Sequence, residues 1–214
     1  MIVAKYRKRE LVSNYTILTI LALTCILPIM LLFFNSIKPQ EEFGINPFGF
    51  PITIRLANFV DAWIMGEYAQ IFLNSSKLVI GTLILNLTVS GLAGFSLAKL
   101  YPRGSNAFLV YLLVGVSIPA QMFILPLFLM WKEFGLMNTH LGLIIIYAGL
   151  NAPFATFLIR SYMIQLPDEL FDAAKIDGAN TLQLFYRIAL PISWPVFLTT
   201  GLVVGLAVWN EFLF

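Results

Sequence analysis

The sequence predicts an all-α, polytopic transmembrane bundle, and three observations carry that prediction. Apolar residues make up 59% of the 214, charged residues 11%, and mean hydropathy is +0.87; a soluble domain carries about 25% charged residues. Five stretches without Asp, Glu, Lys or Arg reach span length: 11–37, 78–98, 104–131, 134–159 and 188–210. A bilayer core needs about 20 apolar residues in a helix. Membrane β-strands alternate apolar with polar residues instead of running apolar throughout.

The first span is expected over 13–36, with a kink at Pro28. Lys5, Arg7, Lys8 and Arg9 before it resemble the start of a secretory signal. The apolar run is too long for a signal core, and no small-x-small cleavage site follows. Residues 1–12 are therefore an N-terminal segment before an uncleaved helix. The outer segment 38–74 is rich in charge and turns (Gly44, Pro47, Gly49, Pro51), then half-polar around Phe59, Trp63, Tyr68 and Phe72. It reads as a loop followed by an interfacial helix.

The second span is expected over 76–98. Its eleven Leu, Ile, Val and Phe residues between 78 and 98 favour insertion by about 3–7 kcal/mol before polar residues are counted. The third, 107–131, is expected to break at Pro119 and Pro126 and to end at Trp131. The fourth is expected over 141–160 and the fifth over 194–214. Gly201 and Gly205 in the fifth form a small-xxx-small pair suited to helix packing.

Charge sets the orientation. With the N-terminus inside, the inner segments carry nine Lys and Arg residues and the outer ones four (Lys38, Arg55, Lys77, Lys132). That asymmetry places the N-terminus in the cytoplasm.

Other counts exclude whole classes of function. One cysteine, Cys25, allows no intrachain disulfide. Cys25 and the single His140 cannot build the usual zinc site, and no Lys is followed by Ser or Thr as a P-loop requires. No catalytic, metal or cofactor-binding residue is assigned, and any nucleotide is bound by another chain. A net charge of +2 scattered among loops does not suggest nucleic acid.

The inner loop 161–191 is longer than a connection needs and has its own signals. Pro167 suits a first helical turn. Asp168, Glu169 and Asp172 favour a helix N-terminus, and Lys175 a last turn. Gly178 suits the left-handed position after a helix end. A helix over 168–177 follows, with Thr181 expected to cap a second helix that Pro191 ends. Ala173 and Ala174 leave a small surface beside the Asp172 charge, open either to a partner or to solvent.

That loop resembles the EAA loop of ABC-importer permeases. Asp172-Ala173-Ala174, three residues, Gly178, nine residues, then Ile188-x-Leu190-Pro191 match its spacing throughout. Pro167, Glu169, Ile176, Asp177 and Ala179 also fit. Ser36-Ile37-Lys38, Asn58-Phe59 with Trp63, Asn74-Ser75, Gly135 to Thr139 and Trp209-Asn210-Glu211 are similar to the maltose-type, second-subunit permeases of the carbohydrate branch.

The resemblance implies a bacterial or archaeal inner-membrane permease with several partners. These are a second homologous permease, two cytoplasmic ATPase subunits and an extracytoplasmic sugar-binding protein. It implies ATPase coupling through Glu169, Asp172, Ala173, Ala174, Asp177, Gly178, Ile188, Leu190 and Pro191. Asp172 stands where the family usually has Glu, one methylene longer. The family also has a sixth span, so against it this sequence is C-terminally incomplete.

Among polar groups in spans, Asn86, Gln121, Asn151 and Glu211 are candidates for a translocation path. Interhelical hydrogen bonding is the commoner role for such amides; an intramembrane acid is a functional candidate by default. Two alternatives stay open: a permease for another small solute, and a secondary transporter, which dependence on ATP would separate from the first reading.

Overall fold

The computed structural model describes residues 8–212. Lys5, Arg7 and the last two residues of the fifth expected span lie outside them. Every regular element among the described residues is helical. Three helices are each long and apolar enough to cross a membrane, or five spans result if each of two bent pairs counts as one. The chain divides into two compact units, one up to Gln70 and one from Ile71 onward.

In the first unit, α1 (Lys8–Ser36) runs unbroken through Pro28. Its large apolar side chains are exposed on all sides, as befits a helix whose solvent is lipid. Thr16 and Thr24 donate their hydroxyls back to the carbonyls of Val12 and Ile20 at 2.8 and 2.6 Å, which hides those polar groups. The expected outer loop contains two short helices, α2 (Gln40–Ile45) and α3 (Ala57–Met65). Lys38 organises it. Its ammonium is buried and donates to Asn35 Oδ1, the Asn46 carbonyl and the Gly49 carbonyl at 3.0, 2.7 and 2.8 Å. Asn58 donates its amide to the carbonyls of Ser36 and Lys38 at 2.9 and 2.7 Å.

The second expected span is longer than its apolar run. Helix α4 spans Tyr68–Phe95 and continues as a π turn over Ser96–Leu100. Residues 68–74, assigned to the outer segment from their polarity, are already helical. Phe72 there packs edge-on against Trp209, with ring centroids 5.5 Å apart.

The third expected span is two arms. Helix α5 (Ser105–Ser117) and the segment Ala120–Glu133, which ends in α6 (Ile124–Glu133), meet at 95°. Pro119 makes the break. Pro126 does not: it is the third residue of α6, where its missing N–H has no intrahelical partner to lose.

Helix α7 (His140–Met163) carries Pro153 within it and starts on Thr139, whose hydroxyl accepts the Gly142 N–H at 3.0 Å. It crosses α4 at Gly94, where a Cβ would stand 3.1–3.2 Å from Ile159 and the Arg160 backbone nitrogen. Only a glycine admits that approach without a shift. Above the crossing, Asn86 donates its amide to the Ala148 carbonyl at 2.9 Å, and Ser90 its hydroxyl to the Ala152 carbonyl at 3.3 Å.

The connection after α7 forms α8 (Asp168–Ile176), α9 (Thr181–Leu184), a second π turn (Phe185–Ala189) and α10 (Leu190–Ile192). Pro191 sits in the first turn of α10 and does not end the run. The chain then bends by 78° into α11 (Trp194–Trp209). With 16 residues, α11 is about 24 Å long, short of a full crossing by itself. A Cβ on Gly201 would stand 3.5 Å from Leu87 of α4, and one on Gly205 3.7 Å from Leu83, so both glycines lie on the face packed against α4. One apolar core joins Phe95, Ile159, Met163, Phe171, Phe185 and Phe197 at one end of this unit.

Candidate functional site

Helix α8 begins where Pro167, extended at ψ 131°, hands over to Asp168. Pro167 is thus the residue before the first turn, not within it. Asp168 and Glu169 lie in the first turn and Lys175 in the last, each favourable to the helix dipole. At the other end Gly178 has φ +85°. Its N–H donates to the Lys175 carbonyl at 3.0 Å, and that of Ala179 to the Ala174 carbonyl at 2.9 Å. This pair of bonds is the Schellman ending.

The next helix is capped by Asn180, not Thr181. The Asn180 side chain accepts the Gln183 N–H at 2.9 Å, and Gln183 accepts the Asn180 N–H at 2.8 Å. This reciprocal pair closes two donors at once. Thr181 is already the first helical residue, so the capping position falls to Asn180.

One residue seats α8. Phe171 is 3% exposed; its burial favours the seat by about 1.5–3 kcal/mol. Its ring lies 6.0 Å from that of Phe95 at the end of α4, and Phe95 lies 5.6 Å from Phe185. Phe95, just before the first π turn, and Phe185, which opens the second, thus share one core with Phe171. Lys99, in the first π turn, reaches beneath it. Its ammonium lies 5.3 Å from the Phe171 ring centre and donates to the Leu166 carbonyl and Asp168 Oδ1, both at 2.6 Å.

The opposite face is open. Glu169, Asp172, Ala173 and Ile176 are all exposed. They recur at intervals of three, one and three, which places them on one stripe. Ile176 is 87% exposed, unusual for a large apolar side chain on a charged helix. Asp172 Oδ1 meets Lys175 Nζ at 2.9 Å, but both side chains are more than half exposed. Such a pair is weak and easily exchanged, so the carboxylate stays available.

The motif residues thus separate into two sets. Asp172, Ala173, Asp177 and Gly178 face outward with Glu169, and Pro191 is exposed. Ala174, Ile188 and Leu190 instead pack against the core beneath. The small surface expected from two alanines rests on Ala173 alone. Sequence reasoning missed Phe171 and Lys99. The signal for Phe171 was its place as the apolar residue one position before Asp172; Lys99 had none.

Two of the translocation candidates, Asn86 and Asn151, donate to the adjacent carbonyls of Ala148 and Tyr147 on α7. Asn86 is fully buried between α4 and α7, and its Oδ1 accepts no bond. Asn151 is half-buried and donates to the Tyr147 carbonyl at 2.8 Å. Gln121 is exposed at the break between α5 and α6, and Glu211 is half-buried just past α11. A groove of about 840 Å³ runs along α4 and α11, lined by Leu83, Leu87, Phe197, Leu202 and Trp209 among others. None of the four candidates lines it.

Residues 90–214 match the family described as binding-protein-dependent transport system inner membrane component. The diacetylchitobiose uptake system permease protein NgcG of Streptomyces coelicolor is 30% identical over 96% of this chain and 68% of its own length. The arabinooligosaccharides transport system permease protein AraQ of Halalkalibacterium halodurans is 34% identical over 90% of this chain and 70% of its own. The multiple sugar-binding transport system permease protein MsmG of Streptococcus mutans is 30% identical over 94% and 73%. In fold the chain is similar to one in the crystal structure of a bacterial ABC transporter involved in the import of the acidic polysaccharide alginate. The TM-score is 0.78 at 24% identity, over 98% of this chain and 75% of that one. The chain belongs to the family of binding-protein-dependent transport system inner membrane components, as a multi-pass permease subunit rather than a soluble component.

Proposed function

We propose that this chain is the permease subunit of an ATP-driven sugar importer and that α8 is its coupling helix. It forms half of the translocation path, and a second homologous permease forms the other half. Two cytoplasmic ATPase subunits hydrolyse ATP, and an extracytoplasmic sugar-binding protein delivers the solute. The N-terminus is cytoplasmic, on the same side as α8. The observation that carries this reading is the stripe Glu169, Asp172, Ala173 and Ile176. It is an exposed acidic and apolar surface on a helix anchored from below by Phe171. Three relatives whose names specify sugar uptake support the solute class.

In this mechanism α8 sits in a cleft of one ATPase subunit. Closure of the ATPase pair around ATP moves both coupling helices, and rigid rotation of the spans alternates access between the two sides. A short, capped helix transmits displacement because it does not bend. Ala173 permits close seating, and Asp172 meets a cation on the partner.

Co-purification tests the reading. The chain is expressed with the second permease and a tagged ATPase, as wild type and as Asp172→Arg. The wild type is expected to co-purify and the variant to be lost while still inserted in the membrane. Full retention and normal sugar uptake by Asp172→Arg would remove α8 as the docking site.

A further inference from the structure

We propose that Lys99 is a positioning residue that delivers the movement of α8 to α4 and α7 together. The inference rests on the coupling reading of α8 given above and deepens it.

Lys99 lies 69 residues before Asp168 in the chain, at the far end of α4. Its side chain is 4% exposed. Its ammonium bonds the Leu166 carbonyl and Asp168 Oδ1 at the entry to α8 and lies over the Phe171 ring one turn on. A buried ammonium is costly unless its donors are paired. An apolar residue would fill the seat beside Phe95 and Phe171 with no such cost, and apolar replacement of buried ion pairs is often neutral or better. The lysine therefore does something packing does not. It links the dry end of the bundle to a carboxylate that is itself 71% exposed on α8.

The same turn is tied to α7. The Tyr101 N–H bonds to the Ser96 carbonyl at 3.1 Å, as a π turn requires. The next residue, Pro102, has no N–H to offer the Leu97 carbonyl. Arg160 of α7 supplies the donor through Nε at 3.4 Å. One turn thus holds α7 through Leu97 and α8 through Lys99. A displacement of α8 thus acts on the ends of both spans through side chains, beside the covalent link of residues 164–167.

The test compares Lys99→Met and Lys99→Arg with wild type in the importer assembled with its second permease and ATPase subunits, in membrane vesicles. Met keeps the apolar stem over Phe171 and removes the charge. Three quantities are read: ATPase retention, ATP hydrolysis, and sugar taken up per ATP hydrolysed. Lys99→Met is expected to retain the ATPase and hydrolyse ATP, with uptake per ATP lowered about tenfold, the scale of a typical coupling energy. Lys99→Arg is expected to restore most of it. Uptake per ATP equal to wild type in Lys99→Met would overturn the inference and leave the docking of α8 intact. Loss of the ATPase from Lys99→Met and Lys99→Arg alike would also overturn it, because Lys99 would then serve folding. Failure of the wild-type chain to retain the ATPase would overturn the docking reading itself, and this inference with it.

Discussion

The backbone N–H of Ala179 donates to the carbonyl of Ala174 across 2.9 Å, closing the end of α8 over Gly178 at φ +85°. A Cβ placed on Gly178 would meet nothing within 4 Å. The requirement for glycine is therefore one of backbone conformation, not of space. A left-handed conformation costs an L-residue roughly 1–2 kcal/mol. Gly178→Ala is expected to lose about that much stability locally, Gly178→Val more because it is β-branched, and Gly178→Asn least. Hydrogen exchange at the Ala179 amide reads the effect. Equal protection in Gly178→Val and wild type would remove the argument.

Phe171 is the anchor of α8, so its truncation is expected to be severe. Phe171→Ala removes a ring buried against Phe95, and such changes cost about 3–5 kcal/mol. Protease cleavage of the segment 164–180 in membranes should rise sharply in Phe171→Ala and only modestly in Phe171→Leu. Resistance equal to wild type in the alanine variant would show that α8 is held by something else.

Asn86 spends its amide nitrogen on α7 through the Ala148 carbonyl. Asn86→Leu is expected to lower bundle stability by about 0.6–2 kcal/mol, the range for interhelical bonds in membranes. The apparent affinity for transported sugar should not change. A large change in KM at unaltered stability would place Asn86 on the solute path instead.

Glu42 accepts the Ile52 and Thr53 N–H groups at 2.6 and 3.0 Å. The Ile52 hydrogen bond, with help from Thr53 and the Lys38 charge, holds its carboxyl below the ordinary 4.5. A depressed folded value means the contribution is complete above the ordinary value and is lost as pH falls through the lowered one. Exchange of the Ile52 and Thr53 amides should therefore accelerate only on acidification below 4.5, relative to Glu42→Ala at the same pH. Protection of those amides that stays constant down to pH about 2, below any ordinary carboxylate pKa, would contradict this.

The helices were legible because each apolar run is long and charge-free. The ends of α8 were legible because Pro167, Asp168 and Gly178 act locally. Three features were not. The half-polar stretch reaching Phe72 read as an interfacial helix separate from the second span, yet helical backbone bonds are indifferent to side-chain polarity, and α4 starts at Tyr68. Pro119 and Pro126 look alike in sequence, but only the one outside a first helical turn breaks the chain. The contact between Lys99 and Asp168 depends on a π turn and on a sequence separation of 69, which no local pattern encodes. For the site, the spacing from Asp172 to Pro191 located the loop. It could not tell Ala173, which is exposed, from Ala174, which packs inward.

The central claim is that the Asp172–Ala173 face of α8 meets an ATPase in the cytoplasm. Its most direct test is site-specific cross-linking. Cys25 is replaced by Ser, Ala173 by Cys, and the importer is assembled in membranes with ATPase subunits carrying a cysteine at the rim of the cleft. The account predicts a cross-link at Ala173→Cys, none at Lys175→Cys on the flank, and protection from an impermeant thiol reagent added outside. Labelling of Ala173→Cys from outside, or its failure to cross-link in an assembled complex, would contradict it.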